Sequence, residues 1–193
     1  MHRITVIVAS TRTNRFADSP LAWLLPRLKD FEVDVIDVRD VDLPYYDLPI
    51  PPAMAYRDYE TEAERRLGER LDTADGFLVV THEFNHGYSA PLKNMLDHFF
   101  IELSHKPIGF IGYGNAGGSR AIEQLRQVVI ELDMVPIRNS VNIMGPQYFA
   151  IRNGVDVDEA FEPLETALER TLESLSWWVD ATTAARSLTA ALS

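Results

Sequence analysis

The chain has 193 residues, of which 46% are hydrophobic and 24% charged, proportions typical of one globular domain. It contains no cysteine, which excludes disulfides, thiolate nucleophiles and cysteine-ligated metal centres. The net charge of −11 argues against a nucleic-acid partner, because proteins that bind nucleic acids normally carry a basic face.

Strands and helices alternate in the first half of the chain. Apolar, β-branched runs predict strands at residues 3–9 and 32–38, and apolar residues at helical spacing predict a helix at 21–28. Four prolines make 41–56 a loop. A charged amphipathic helix is predicted over 58–73.

The second half repeats this alternation. The predicted strands are 76–81, 107–112 and 135–141. The segments between and after them are a loop at 82–90, a helix at 91–103 that opens with a proline, a glycine-rich turn at 113–118, a helix at 119–132 and a helical stretch at 156–186.

Alternating strands and helices imply right-handed crossovers and a parallel sheet covered on both faces. Five strands fit an α/β, flavodoxin-like three-layer sandwich with the strand order 2-1-3-4-5. We expect one domain over residues 1–193, with a C-terminal helical extension at about 156–190. Ligands of such sheets bind beyond the carboxyl ends of the strands at the switch point, here between the loops 10–17 and 82–90.

The first of these loops has the composition of a phosphate site. Ser10 and Thr11 offer hydroxyl donors, and Arg12 and Arg15 offer charge-assisted hydrogen bonds close to the start of a helix. A polar loop with solvated arginines is the alternative interpretation.

The second loop contains a pattern that also occurs in zinc proteases. His82-Glu83-Phe84-Asn85-His86 matches H-E-x-x-H, which binds zinc when both histidines lie on one face of a helix. Here a strand runs directly into the motif, and Gly87 follows it. A zinc hydrolase is therefore kept only as a rival function.

A longer segment carries a family resemblance. Residues 75–97 resemble the NADPH-dependent FMN reductases, whose typical Pro-Glu-Tyr-Asn-His segment is followed by Leu-Lys-Asn and Asp. His82 stands in place of the proline and Phe84 in place of the tyrosine, and Ala9 replaces the first glycine of the family's phosphate loop. Matching residues are Ser10, Arg12, Glu83, Asn85, His86, Pro91, Leu92, Lys93, Asn94, Asp97, Lys106, Pro107 and Arg120.

The resemblance implies an enzyme that binds FMN noncovalently and oxidises NADPH or NADH by a ping-pong mechanism. The electron acceptor would be a small molecule such as a quinone, a flavin, an azo compound or a metal oxyanion. Flavin N5 performs the chemistry, so no catalytic side chain is expected. The implied cofactor-binding residues are Ser10, Arg12, Arg15, Phe16, Ala17, His82, Glu83, Phe84 and Asn85, with residues 82–85 contributing largely through main chain.

A third loop satisfies the dinucleotide pattern G-x-G-x-x-G between Gly112 and Gly117. The full motif also requires a carboxylate at the end of the following strand, where the sequence has Asn139, Ser140 and Asn142. We therefore interpret Gly114 and Gly117 as a close approach of the backbone to the flavin, with an ordinary tight turn as the alternative.

Several aromatic residues keep two interpretations. Tyr45, Tyr46, Tyr88 and Tyr113 would form walls of the acceptor site or mark an oligomer interface. Trp177 and Trp178 are expected to pack on the sheet together, or else one of them faces a partner.

Assembly, location and two rival functions complete the expectations. The family implies a homodimer or homotetramer. The N-terminal residues lack the features of a signal peptide, and no apolar run reaches the roughly 18 residues that span a bilayer, so a cytoplasmic protein with no membrane partner is expected. The rivals are a non-catalytic electron carrier or redox sensor, and a scaffold whose flavin site has decayed.

Overall fold

A parallel sheet forms the centre of the computed structural model, which describes residues 1–192. Its strands are β1 (Arg3–Val8), β2 (Glu32–Asp37), β3 (Gly76–His82), β4 (Pro107–Tyr113) and β5 (Val135–Ile143). They lie in the order β2-β1-β3-β4-β5 and every neighbouring pair is parallel. This order confirms the predicted flavodoxin-like sheet. It also places the carboxyl ends of β1, β3 and β4 side by side along one edge of the sheet.

Eight α-helices accompany these strands in residues 1–192. They are α1 (Asp18–Leu24), α2 (Pro52–Ala55), α3 (Glu62–Asp72), α4 (Ala90–Asp97), α5 (Ser119–Glu131), α6 (Gly145–Arg152), α7 (Val157–Phe161) and α8 (Glu165–Leu192). Local sequence sets two of the starts: Thr61 and Glu64 form a capping box before α3, and the Ser89 hydroxyl accepts from the Leu92 amide in α4.

The two faces of the sheet are buried by different helices. Apolar residues of α3, α4 and α5, such as Leu71, Met95 and Leu125, form one core layer. The other layer contains Trp23 of α1 and Val179 of α8. β3 and β4 are buried along their whole length, which explains their continuous apolar runs.

Several predicted elements have different bounds in the structure. The first helix begins at Asp18 rather than at 21, because Pro20 is tolerated within a first turn, and Pro26 falls in a 3₁₀ turn that follows it. The predicted helix at 91–103 ends at Asp97, and residues 98–105 continue as turns that still bury Phe99 and Leu103. The loop at 41–56 contains the short helix α2.

The last third of the chain differs most from expectation. Helix α6 was not expected, because its first residues, Gly145 and Pro146, are typical of a turn, although proline is equally favoured in the first turn of a helix. The stretch at 156–186 is divided into α7 and α8, and α8 packs against β5 and β4. Among residues 1–192, none of the helices combines the length and apolarity that a membrane crossing requires.

The two adjacent tryptophans of α8 point in different directions. Trp178 packs against the core layer that contains Trp23, whereas Trp177 is 62% exposed. The expectation that both would pack on the sheet was wrong, because neighbouring residues of a helix point about 100° apart.

Candidate functional site

A cleft of about 490 Å³ opens at the carboxyl ends of β1, β3 and β4. Its walls come from the loops after β1 and β3, the turn after β4, and α6. Eight of the predicted site residues line it: Ser10, Arg12, Arg15, Phe16, His82, Glu83, Phe84 and Gly114. Three do not line it: Ala17, Asn85 and Gly117. The cleft has the size of an ordinary small-molecule site.

Arg15 lines the cleft, but its guanidinium is engaged by partners inside the protein. It binds both carboxylate oxygens of Asp37, at 2.7 and 2.5 Å, and also contacts Asp18 and the carbonyl oxygen of Ser10. Its side chain is only 3% exposed. Every N–H of this guanidinium has a partner within the chain. Arg15 therefore has no donor left for the predicted direct contact with a phosphate. Arg15 instead fixes the shape of the loop.

Arg12 has the opposite environment. It is exposed and forms no ion pair or hydrogen bond with residues 1–192, and its guanidinium lies 5.8 Å from the centre of the Phe84 ring. The backbone amides of Thr11, Arg12 and Thr13 likewise donate no hydrogen bond within the described chain. This part of the loop thus offers a positive charge and several free donors to an anion.

The second loop is closed by a tight turn. Phe84 and Gly87 exchange two backbone hydrogen bonds of 2.8 Å, and Asn85 and His86 both have positive φ, the geometry of a type I′ turn. The Glu83 carboxylate pairs with Arg120 at 2.5 Å, and the Arg120 guanidinium also reaches His86. The side chain of Glu83 therefore anchors the loop to α5. The amides of Glu83 and Phe84 are already occupied, whereas that of Asn85 makes no hydrogen bond within residues 1–192.

The two histidines of the H-E-x-x-H pattern do not share a helix. His82 is the last residue of β3, and His86 lies in the turn beyond it. Their imidazoles therefore lack the i, i+4 arrangement on one helical face that zinc proteases require. The geometry offers nothing in favour of the rival zinc hydrolase.

His82 is nine-tenths buried at the floor of the cleft. Its ring centre lies 4.1 Å from that of Phe84 and 6.0 Å from that of Tyr113. Burial lowers the pKa of His82 to about 4, and the nearby charge of Arg12 acts in the same direction. The imidazole is consequently neutral near pH 7.

The glycines of the third loop have two different roles. Gly114 lines the cleft beside Glu83. Gly117 and Gly118 have positive φ, and a Cβ on either would lie within 2.8 Å of Asn142 or of the backbone of β4. Gly117 and Gly118 therefore allow close packing inside the protein, and Gly117 makes no wall of the cleft.

The wall formed by α6 was missed by the sequence analysis. Tyr148 packs on Phe16 with ring centres 4.8 Å apart, while Phe149 is 63% exposed and Arg152 lies at the end of the helix. The aromatic pair that follows Gly145-Pro146 directly after β5 was the available signal. Arg152 forms no ion pair within the described residues, so it adds a second free cation beside the cleft.

The tyrosines proposed for an acceptor site are separated in space. Tyr113 lies in the cleft, where burial raises its pKa to about 12. Tyr45, Tyr46 and Tyr88 line a separate, open groove beside α4. Within one chain, these three tyrosines do not line the main cleft.

Comparisons with known proteins agree with the fold and show the family to which the chain belongs. The family model described as NADPH-dependent FMN reductase matches residues 2–147. The chain is 35% identical over 135 residues to an NAD(P)H-dependent FMN reductase of Schizosaccharomyces pombe, covering 68% of each protein. It is 26% identical over 162 residues to a quinone reductase of Escherichia coli, covering 80% of the chain and 81% of that protein.

A solved structure has a similar fold. The flavoenzyme NAD(P)H:(acceptor) oxidoreductase FerB of Paracoccus denitrificans superposes with a TM-score of 0.71 at 20% identity. The match covers 94% of this chain and 99% of FerB. It supports the flavodoxin-like architecture on which the cleft is built.

Proposed function

Because the chain belongs to the NADPH-dependent FMN reductase family, an FMN-dependent family of oxidoreductases, we propose that it uses NAD(P)H to reduce a small acceptor such as a quinone. The quinone reductase of Escherichia coli among its relatives supports the choice of acceptor. Free flavins, azo compounds and metal oxyanions belong to the same proposal, because each can accept electrons in an open site.

The observation that carries this proposal is the charge of the cleft. In a chain of net charge −11, the cleft holds two arginines, Arg12 and Arg152, without ion pairs to residues 1–192. Because no salt bridge neutralises either charge, an anionic ligand is favoured at this place. Free amides of Thr11 to Thr13 and the orphaned nitrogens of His82 add unpaired donors and acceptors that fit a phosphorylated flavin.

The residues of the cleft divide the work of binding FMN. In this proposal Ser10, Arg12 and the free amides hold the phosphate, while Arg15 keeps their loop in place. Phe84 and Gly114 border the ring, and Phe16 supports the wall behind it. Ala17 and Gly117 contribute to the packing beneath the cleft and not to the contact.

FMN, when bound, supplies the hydride chemistry, and the protein supplies position and a shielded pocket. Phe84 and Phe149 are 44% and 63% exposed at the mouth of the cleft, where they offer apolar surface to a planar ring. In this proposal nicotinamide and acceptor occupy this mouth in turn. Such alternation is the order of a ping-pong mechanism.

Purified protein with added FMN tests the proposal. We expect a bound-flavin visible spectrum, acceptor-dependent oxidation of NADPH with benzoquinone, and parallel lines in double-reciprocal plots. Bound FMN without NADPH oxidation would favour the electron carrier or redox sensor. Failure to take up FMN would favour the decayed scaffold and end the proposal.

Assembly follows the same family expectation. We propose a homodimer or homotetramer, to which exposed apolar residues such as Tyr45, Met54 and Trp177 could contribute. Light scattering after size-exclusion chromatography measures the mass directly. A monomer at micromolar concentration would contradict this part.

The charge of Arg152 leads to a prediction about the choice of nicotinamide nucleotide. In this proposal the Arg152 guanidinium binds the extra phosphate of NADPH. Arg152→Glu should therefore raise KM for NADPH roughly tenfold, because a hydrogen bond to a charged group contributes about 1.5–3 kcal/mol. KM for NADH, which lacks the extra phosphate, should change much less. Steady-state kinetics with both nucleotides provide the measurement. Arg170→Glu, an exposed charge reversal on α8, serves as the control, and an equal effect on NADH would contradict the prediction.

A further inference from the structure

The imidazole of His82 has no hydrogen-bond partner in the protein. The residue is 5% exposed, and neither ring nitrogen makes a hydrogen bond with residues 1–192. A neutral imidazole carries one donor and one acceptor, and leaving a buried polar group unsatisfied is costly. A side chain in this state, on the floor of a cleft, indicates a ligand that completes its hydrogen bonds.

The position of His82 shows which part of a ligand it meets. In the register of the sheet Val8 pairs with Val80, and His82 pairs with Tyr113. His82 therefore lies between the loop after β1, with Ser10 and Arg12, and the turn after β4, with Gly114. A flavin nucleotide with its phosphate at the first loop and its ring at Phe84 and Gly114 would pass its middle portion over this imidazole.

The chemistry of that middle portion matches the side chain. The ribityl chain of FMN consists of hydroxyl groups, each of which can donate and accept a hydrogen bond, as the neutral imidazole also can. Phe84 and Tyr113 enclose the ring and offer it no polar partner. The carboxylate of Glu83 is engaged with Arg120 and is not available either.

We propose that the His82 imidazole hydrogen-bonds a ribityl hydroxyl of bound FMN and so makes the cleft selective for flavins that carry this chain. The inference rests on the proposed function, since it requires FMN in this cleft. It concerns a side chain that differs from the proline typical of the family, and proline could provide neither a donor nor an acceptor in its ring.

Two variants test the proposal by stability and by affinity. His82→Leu removes both unpaired nitrogens and keeps an apolar side chain, so the apo-protein should melt at a higher temperature than the wild type. The same variant should bind FMN and riboflavin roughly 3- to 10-fold more weakly, the effect of one lost hydrogen bond. Its affinity for lumiflavin, which lacks the ribityl chain, should be unchanged. His82→Gln retains a donor and an acceptor and should recover part of the loss.

Thr5→Val is the matched control. The Thr5 hydroxyl is also buried without a partner, but it lies inside β1, away from the cleft. This variant should leave all three flavin affinities unchanged, whatever its effect on the melting temperature.

The possible results distinguish a contact to the ribityl chain from contacts to the phosphate or to the ring. A loss for FMN but not riboflavin would show a phosphate contact, and an equal loss for lumiflavin would show a ring contact or altered packing; either overturns the proposal. Unchanged affinities in His82→Leu also overturn it. If the wild-type protein binds no flavin at all, the proposed function fails first, and the two failures are thereby distinguished.

Discussion

Replacing Asp37 by asparagine is expected to lower the free energy of unfolding by about 3 kcal/mol, because it leaves the buried charge of Arg15 without its main counterion. Asp37 binds both terminal nitrogens of Arg15, whose side chain is almost fully enclosed. Urea denaturation followed by circular dichroism measures the change. The loop after β1 should also lose its shape, so that FMN affinity falls together with stability.

A second ion pair on the same strand provides the control. Asp34 of β2 pairs with Arg70 at 2.9 Å, but both side chains are substantially exposed. Asp34→Asn should therefore cost less than about 1 kcal/mol. Equal costs for the two variants would show that burial of Arg15 is not what makes its pair important.

The same ion pair predicts how stability depends on pH. Burial alone would raise the pKa of Asp37, but the hydrogen bonds from Arg15 and the Arg39 amide, together with both positive charges, bring it below its usual value. A carboxylate whose pKa is lower in the folded state contributes stability above its unfolded pKa, near 3.9, and loses it as the pH falls through the folded value. Wild-type protein should thus lose this contribution below about pH 4, and Asp37→Asn should lack that component.

Replacing Arg12 by alanine is expected to weaken FMN binding about 100-fold and to leave riboflavin binding nearly unchanged. A charge-assisted hydrogen bond to phosphate contributes about 1.5–3 kcal/mol, and riboflavin has no phosphate to lose. Arg12 forms no ion pair or hydrogen bond within the described chain, so its removal breaks neither kind of contact in the loop. Fluorescence titration with the two flavins gives the affinities.

Arg138→Ala is the control for the loss of one positive charge. Arg138 is exposed on β5 and does not line the cleft, so a general effect of net charge would appear in both variants. A similar loss of riboflavin affinity in Arg12→Ala would place this residue against the flavin ring instead of the phosphate. The contact with Phe84 makes that outcome a meaningful alternative.

The different fates of Arg12 and Arg15 explain how an acidic protein can present a cleft to an anion. Acidic side chains elsewhere in the fold neutralise nearby arginines, and Asp37 and Asp18 do the same to Arg15. Arg12 and Arg152 lie at the cleft without ion pairs in the described chain, so their charge is directed at whatever binds there. The unpaired charged side chains that line the cleft are therefore positive, opposite in sign to the net charge of the molecule.

Sequence alone determined the sheet, its order and the loops that border the cleft. Apolar periodicity is a local property, and the handedness of crossovers then leaves few topologies for five alternating strands. The segment around Glu83 and Asn85 was enough to indicate the family and its cofactor. These features depend on residues close together in the chain.

Tertiary structure decided which side chains are free to bind. Arg15 is engaged by Asp37, 22 positions away, and the Glu83 carboxylate is engaged by Arg120, 37 positions from it along the chain. Helix α6 follows β5 and therefore begins at the carboxyl edge of the sheet, where β1 also ends. Only this placement brings Tyr148, Phe149 and Arg152 to the cleft. No local pattern encodes such contacts, because hydrogen-bond saturation and burial depend on which distant residues the fold brings together.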